Sequence, residues 1–239
     1  MTKARPFLVA MDGPAGGGKG TIAVALAQRF GFVYFESGTF FRVLAWRALS
    51  LGVTAQEEGC IEKIITSPWF REQWRTFARP ALREERIGLF ASEMAKHAFV
   101  RAAFTSFQRQ EVLKETAAGV ILEGRDTGSA IFPDADCKIF LTADPHVRAR
   151  RRFEELREKN PDVAYETVLQ DLLKRDANDK ERSVGALQID ATYQLLDTST
   201  LSIPEVVSTA ERLVQERYNT YLAEKRGDEV KRQITRKNA

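Results

Sequence analysis

A glycine-rich segment holds the residue types that bind phosphate groups. It follows a short apolar run, Phe7 to Met11, and opens an apolar-periodic segment, Ile22 to Phe30. Glycines allow a tight turn whose backbone N–H groups point at one anion, a helix N-terminus adds partial positive charge, and a lysine adds a full one. A chance glycine turn is the alternative, but all the parts occur in the required order. The predicted cradle comprises Gly13, Pro14, Ala15, Gly16, Gly17, Gly18, Lys19, Gly20 and Thr21.

The segment differs at one position from the most common phosphate-binding loop. That loop has Ser or Thr directly after the lysine, with its hydroxyl on Mg²⁺. Here Gly20 follows the lysine, and the hydroxyl comes one residue later, at Thr21. This spacing resembles the Gly-Lys-Gly-Thr loop of nucleoside monophosphate kinases and argues against a GTPase switch. It leaves the metal ligands unassigned.

Composition limits the class of protein. The chain has 239 residues, of which 44% are hydrophobic and 29% charged, which suits either one large soluble domain or one domain with insertions. The net charge of +3 favours a local site for an anionic ligand over a nucleic-acid-binding surface. No run approaches the ~20 apolar residues of a membrane span. Two distant cysteines, Cys60 and Cys137, indicate a reducing compartment. We therefore expect a cytoplasmic monomer without nucleic-acid or membrane partners.

Short β-like runs alternate with longer helical patterns. Strands are predicted at residues 7–12, 33–36, 120–123, 138–142 and 194–197. Helices are predicted at residues 21–30, 39–51, 91–116, 145–159, 164–178 and 203–226, with Asp144 capping the helix that begins at Pro145. The alternation predicts an α/β fold, a doubly wound parallel sheet of five strands with its ligands at the strands' carboxyl ends.

Residues 53–93 interrupt the alternation. They contain Trp69, Trp74 and many charges, and we interpret them as a mostly helical insertion; an ordinary pair of linking helices is the alternative. Residues 1–52 and 94–226 then form the core, which includes a lid at about 160–185. Residues 227–239 form a charged tail without apolar periodicity, expected as a frayed helix end. A nucleic-acid-binding arm is the alternative for the tail.

Polar residues follow the second and third predicted strands. Ser37 either caps the next helix or faces a ligand. Arg42 lies one turn further along that helix, and its side chain either points to the sheet edge or lies on the surface. Glu123-Gly124-Arg125-Asp126-Thr127-Gly128 offers a fork of donors and an acceptor, which is unusual for a plain connection. A salt-bridged turn is the alternative.

Two later segments are rich in charge. Arg148, Arg150, Arg151 and Arg152 crowd one helix, where most are expected to be solvated and paired at i,i+3 or i,i+4, with one stacking on a purine. Residues 174–182 are either a solvated helix end or a mobile cover. A cover would bring arginines onto phosphates and exclude water.

Together these segments resemble bacterial cytidylate kinases. The likeness runs from near the N-terminus to about Val207. It is carried by residues 12–21, by Ser37-Gly38 with Arg42, and by Gly124-Arg125-Asp126 with Gly128. The runs Phe-Pro-Asp-Ala-Asp and Lys-Ile-Phe-Leu-Thr-Ala at residues 132–136 and 138–143, and Asp-Thr-Ser with Leu-Ser-Ile at residues 197–203, belong to the same likeness. The Gly-Arg-Asp segment joined to Phe-Pro-Asp-Ala-Asp is more specific than the glycine loop.

The resemblance implies a P-loop kinase core with a nucleotide-monophosphate-binding insertion and an arginine-bearing lid. It implies transfer of the γ-phosphoryl of ATP, bound with Mg²⁺, to CMP or dCMP. By position, the nucleotide monophosphate would be held by Ser37, Arg42, Arg125 and Asp126. Ser92 and Arg101 would lie at the cytosine, and Asp179 at the sugar. The catalytic cations would be Lys19, Arg125, Arg175 and Arg182.

The chain also departs from the family's pattern. The insertion lacks the usual short-sheet motifs, Phe41 stands where tyrosine is usual, and Thr192-Tyr193 replaces an Asp-Ala pair. A kinase for another acceptor, such as UMP, dTMP or shikimate, is therefore the first alternative. A non-catalytic nucleotide-binding or switch protein is the second. A nucleic-acid-binding module is the third, and the chain lacks the aromatic–basic stripe that would favour it.

Overall fold

Five strands form the centre of the molecule. The computed structural model describes residues 5–74, 76–77, 81–158, 160–181 and 185–237. All neighbouring strands are parallel, and their order across the sheet is β2-β3-β1-β4-β5. This confirms the predicted five-stranded parallel sheet. The strands are β1 (Phe7–Asp12), β2 (Val33–Glu36), β3 (Gly119–Glu123), β4 (Cys137–Thr142) and β5 (Gln194–Asp197).

Helices surround this sheet. The described part of the chain contains α1 (Lys19–Phe30), α2 (Ser37–Ser50), α3 (Glu58–Thr66), α4 (Pro68–Gln73), α5 (Glu85–Met94), α6 (Ala98–Leu113), α7 (Pro145–Arg157), α8 (Tyr165–Lys180) and α9 (Ile203–Lys237). As predicted, Asp144 caps α7 by accepting from the His146 N–H at 2.8 Å. Among the described residues, no helix is both long and apolar enough to cross a bilayer.

Helices cover both faces of the sheet because side chains alternate along each strand. Phe7, Val9 and Met11 pack with α1 and α9 on one face. Leu8, between them, packs with α2, α3 and α6 on the other. All of β1 is therefore buried, and it lies between β3 and β4 with its carboxyl end at the centre of one sheet edge.

The prediction of a single helix at residues 91–116 is wrong. The structure has two helices, α5 and α6, separated by Ala95, Lys96 and His97. His97 has extended backbone, and its carbonyl accepts from the Arg101 N–H as α6 begins. The apolar pattern continues across the break because both helices pack on the same core through Met94 and Val100.

The helix predicted to end at residue 226 is also longer in the structure, since α9 continues to Lys237. Glu, Lys, Arg and Gln, which favour helix, make up more than half of residues 227–237, and no proline interrupts them. Tyr218 and Tyr221 fix its earlier part by packing on Phe7, with ring centroids 5.0 and 5.1 Å apart. The described part of the insertion is helical, as predicted, while its boundaries stay a prediction.

Replacing Phe104 in α6 with alanine should strongly destabilise the fold. Its ring is 1% exposed and meets Phe41 at 4.8 Å and Phe70 at 5.5 Å between centroids. The free energy of unfolding should fall by ~3–5 kcal/mol in urea titrations, because a large cavity forms. Leu113→Ala, in the same helix but 51% exposed, is the matched control. Equal losses in the two variants would contradict this account of the core.

Candidate active site

The glycine-rich loop connects β1 to α1 and exposes unsatisfied backbone donors. Gly18 stands at the N-terminal boundary of α1 with φ of 78° and offers no side-chain cap. The first N–H groups of the helix are therefore available to an anion, and the helix dipole favours one there. At Gly13, where φ is 147°, an added Cβ would collide with the Leu141 carbonyl. Glycine at position 13 therefore lets the loop approach the neighbouring strand β4 more closely than a residue with a Cβ would allow.

Lys19 folds over this loop. Its ammonium group donates to the Pro14 carbonyl at 2.7 Å, and the residue is only 4% exposed. Burial, followed by the positive charge of Arg125, lowers the pKa of Lys19 to about 7. A group of this kind recovers its full charge when an anion arrives beside it.

Asp12, the last residue of β1, organises the turn after β3. It is fully buried, and Thr127 donates to it twice, from N–H at 2.9 Å and from Oγ1 at 2.6 Å. The Gly128 N–H donates at 2.8 Å and the Tyr193 hydroxyl at 2.7 Å. Burial and then the Asp12 charge raise the pKa of Tyr193 well above its ordinary value. The carboxylate therefore fixes the backbone directly after Arg125 and Asp126.

One cleft brings together most of the predicted substrate and lid residues. It lies at the carboxyl ends of β2 and β3, between α2, α5 and α8. Its lining includes Ser37, Arg42, Ser92, Arg101, Arg125, Asp126, Arg175 and Asp179. Arg182 lies outside the described residues.

The break between α5 and α6 explains how Ser92 and Arg101 reach the same cleft. In one continuous helix, positions nine residues apart are separated by about two and a half turns and face opposite sides. Arg101 is 5% exposed and forms an ion pair with Asp126, which is equally buried. Two residues predicted to bind substrate therefore neutralise each other in this structure.

Arg125 is also paired. Its Nε donates to Asp179 at 2.8 Å, so helix α8 contacts the turn after β3. Burial alone would lower the pKa of Arg125, but Asp179 and Glu123 outweigh it and the pKa lies above the ordinary value. Arg125 therefore stays charged.

A second contact of α8 was not predicted from the sequence. Asp176, one turn before the end of α8, accepts from the Ala15 N–H at 3.1 Å and from Arg148 at 2.6 Å. Arg148 also donates to the Ala143 and Ala15 carbonyls, both at 2.9 Å. The expectation that most arginines of α7 are solvated is wrong for Arg148, which is 3% exposed. A charge at this position gave no sign of burial, because its partners come from distant segments.

The other arginines of α7 differ from one another. Arg151 donates to the Thr198 carbonyl at 2.7 Å and is partly buried. Arg150 lies over the Tyr165 ring, 4.6 Å from its centroid. Arg152 follows the predicted pattern, with an exposed i,i+3 pair to Glu155 at 2.8 Å. Arg151 and Arg152 also line a second cleft that runs from the glycine loop to Thr198 and Leu201.

The alternative reading of Ser37 as a helix cap is wrong. Glu36 holds the capping position, and Ser37 is the first residue of α2. The Ser37 hydroxyl donates to Gln108 Oε1 at 2.9 Å, and both side chains are buried. Gln108 went unnoticed in the sequence, although it lies seven residues after Arg101 and so shares its face of α6.

Among the described residues, no group of three or more His, Cys, Asp or Glu side chains is placed to hold a metal ion. Mg²⁺ typically binds through one or two carboxylates together with substrate phosphates and water. A third cleft beside the glycine loop is lined by Thr21 and Glu123, with Tyr34 donating to Glu123 at 2.8 Å. These oxygen donors suit an ion that arrives with a nucleotide.

Replacing Tyr193 with phenylalanine should destabilise the Asp12 network. The variant loses one of the donors to a buried carboxylate, which should lower the free energy of unfolding by ~1–3 kcal/mol. Chemical denaturation measures the change. Tyr165→Phe is the control, because its hydroxyl contacts His146 at the surface. A Tyr193 effect no larger than that of the control would refute the role given to this hydroxyl.

Comparison with known proteins agrees with the geometry. The family model described as cytidylate kinase matches residues 9–216. A cytidylate kinase of Fervidobacterium nodosum is 37% identical over 214 residues, covering 87% of this chain and 96% of that protein. One from Azorhizobium caulinodans is 38% identical over 209 residues, covering 87% and 98%.

A solved structure supports the fold alone. The uncharacterized protein from Eubacterium ventriosum aligns with a TM-score of 0.51 at 14% identity, covering 89% of this chain and 98% of that chain. The family match extends over the glycine loop, the cleft between α2, α5 and α8, and helix α8 itself. The chain therefore belongs to the cytidylate kinase family.

Proposed function

We propose that this protein transfers the γ-phosphoryl group of ATP to CMP or dCMP, giving ADP and CDP or dCDP. The observation that carries the proposal is the meeting of two clefts. The glycine loop with Lys19 opens on one side, and a cleft with four arginines opens on the other, with Arg125 common to both regions. The family relationship favours the same reaction.

The donor nucleotide occupies the glycine-loop side. Its phosphates accept hydrogen bonds from the N–H groups at the start of α1, and the Lys19 ammonium group contacts the β- and γ-phosphates. The adenine lies in the adjoining cleft, where Leu201 and Val206 offer apolar contacts beside Arg151. Thr21 and Glu123, which line the cleft beside the glycine loop, would hold Mg²⁺ that arrives with the phosphates, and the ion would supply positive charge to the transferred group.

The acceptor occupies the cleft between α2, α5 and α8. Arg42, Arg125 and Arg175 converge there, and burial followed by the Arg175 charge lowers the pKa of Arg42. Like charges gathered in one cleft favour a polyanionic ligand, which relieves their repulsion. Ser37 and Asp179 complete the contacts to the phosphate and the sugar.

The Arg101–Asp126 pair suits the edge of a cytosine. Cytosine presents an amino donor beside ring and carbonyl acceptors, so a carboxylate and a guanidinium can each find a partner. Ser92, on the same cleft, adds a hydroxyl. Uracil lacks the amino group, and a carboxylate facing its carbonyl would remain unsatisfied.

The reaction requires positioning more than proton transfer. A nucleotide phosphate is already a strong oxygen nucleophile at neutral pH, so no general base is needed. The obstacle is repulsion between two polyanions brought into line. Lys19, Arg125, Arg175 and Arg182 neutralise that charge, and closure of α8 excludes water.

The cellular setting is part of the proposal. We infer a cytoplasmic monomer whose partners are CMP, dCMP and ATP. The net charge of +3 supports small anionic ligands over nucleic acid.

A substrate panel tests the activity. ADP release should be fastest with CMP or dCMP and slower with UMP, AMP, dTMP and shikimate, as a coupled assay measures. Lys19→Met should abolish turnover without unfolding the protein, because the β/γ-phosphates lose their mobile cation. Lys63→Met, on the exposed side of α3, is the matched control. Faster turnover of a non-cytidine acceptor would sink the substrate assignment, and ATP binding without ADP release would favour a switch protein.

Proton uptake tests the position of Lys19. At about pH 8, above its pKa of about 7, the ligand-free side chain is largely neutral. Nucleotide phosphates favour the charged form, so ATP binding should take up a proton there. At about pH 6 the group is already protonated, and this uptake should vanish.

Calorimetric titrations in buffers of different ionisation enthalpy measure the uptake. Lys19→Met provides the baseline, since all other groups titrate alike in the two proteins. A difference between wild type and variant that is the same at both pH values would argue against the assignment.

A further inference from the structure

Three elements meet at Gly88, in the middle of α5. Gly88 is buried on the acceptor cleft, next to Arg42 of α2 and Arg175 of α8. A Cβ at this position would lie 2.9 Å from Nη2 of Arg175 and 3.4 Å from Nη1 of Arg42. The ends of two guanidinium groups therefore fill the space that a side chain at residue 88 would occupy.

Arg42 is the fixed member of this group. Its Nη1 donates to the Leu82 carbonyl at 2.8 Å, within the short turn Ala81–Arg83 of the insertion. Arg175 projects from α8, and its Nη2, at 2.9 Å, lies closer to the added Cβ than either Nη atom of Arg42. A Cβ at residue 88 would therefore displace Arg175 rather than Arg42.

Helix formation does not explain a glycine here. Glycine in a helix interior costs about 1 kcal/mol relative to alanine. Gly88 lies between Ile87, which is 1% exposed, and Phe90, which packs on the same small cluster. Its φ is not positive, so the backbone itself accepts any residue. The close approach of the two guanidinium groups is what requires a residue without a Cβ at this position.

We propose that Gly88 is a positioning residue of the active site, which lets the lid arginine Arg175 reach across the insertion helix to a place beside Arg42. Residue 88 thereby sets the depth to which the lid delivers positive charge into the acceptor cleft. This inference rests on the proposed function, because it assumes that the two guanidinium groups act on a shared phosphate. It assigns a role to a segment that matches the family's pattern poorly.

Gly88→Ala should separate activity from stability. The thermal midpoint should rise by about 2–4 °C, because alanine favours the helix. The kcat with CMP should fall about 10- to 100-fold, because a cation misplaced by a fraction of an ångström no longer meets the transferred group. A residue with only a packing role would change the two quantities together. Gly59→Ala in α3, where a Cβ meets open space, is the control and should leave kcat unchanged.

A double-mutant cycle with Arg175→Ala tests the route of the effect. If Gly88 acts through Arg175, then Gly88→Ala costs nothing further once the guanidinium is absent. An equal loss of kcat in both backgrounds would overturn the proposal. Wild-type kcat in Gly88→Ala would overturn it as well.

A binding measurement separates this inference from the proposed function. Inorganic pyrophosphate, titrated by calorimetry, needs the converging cations but no turnover. Weaker pyrophosphate binding in Gly88→Ala than in Gly59→Ala, with a wild type that phosphorylates none of the acceptors, would reject the kinase activity and keep the role of Gly88. Equal binding in the two variants, with an active wild type, would reject the role and keep the activity.

Discussion

The pairing of buried cations with buried carboxylates is the constraint on which the site depends. A buried charge without a partner costs several kcal/mol, so buried arginines need carboxylates beside them. Three such pairs are present among the described residues: Arg101 with Asp126 and Arg125 with Asp179 on the cleft, and Arg148 with Asp176 beside the glycine loop. Two of the three carboxylates lie on α8. The contacts that hold α8 against the core therefore also neutralise Arg125 of the cleft and Arg148 of α7.

The core provides a rigid base for these pairs. Asp12 is at the end of the most central strand and accepts hydrogen bonds from the turn after β3. Because parallel strands end at one edge of the sheet, the glycine loop after β1 and the Gly-Arg-Asp turn after β3 must be neighbours. Tyr193, which stands where the family usually has alanine, adds a donor to the same carboxylate. Tyr193 departs from the family's pattern, yet it supports the Gly-Arg-Asp turn, which matches that pattern.

Long-range contacts account for what sequence patterns missed. The strands were predictable because each is a short apolar run between turn residues, and the fold class followed from their alternation with helices. The break between α5 and α6 was not predictable, because both helices bury the same apolar stripe and the interruption carries no glycine or proline. Gly88 and Gln108 carry no local motif. Each is explained only by side chains that arrive from other elements.

The sequence by itself determined the parallel sheet, the glycine-rich loop between β1 and α1, and most of the residues that line the cleft between α2, α5 and α8. These properties are encoded locally, by residue order and by the period of the apolar pattern. The tertiary structure decided which charges face one another: that Asp176 holds the loop, that Asp126 pairs with Arg101, and that Arg175 lies over Gly88 beside Arg42. The physical reason is that electrostatic pairing depends on distance in space, and these charges lie on separate elements that meet only after the chain has folded.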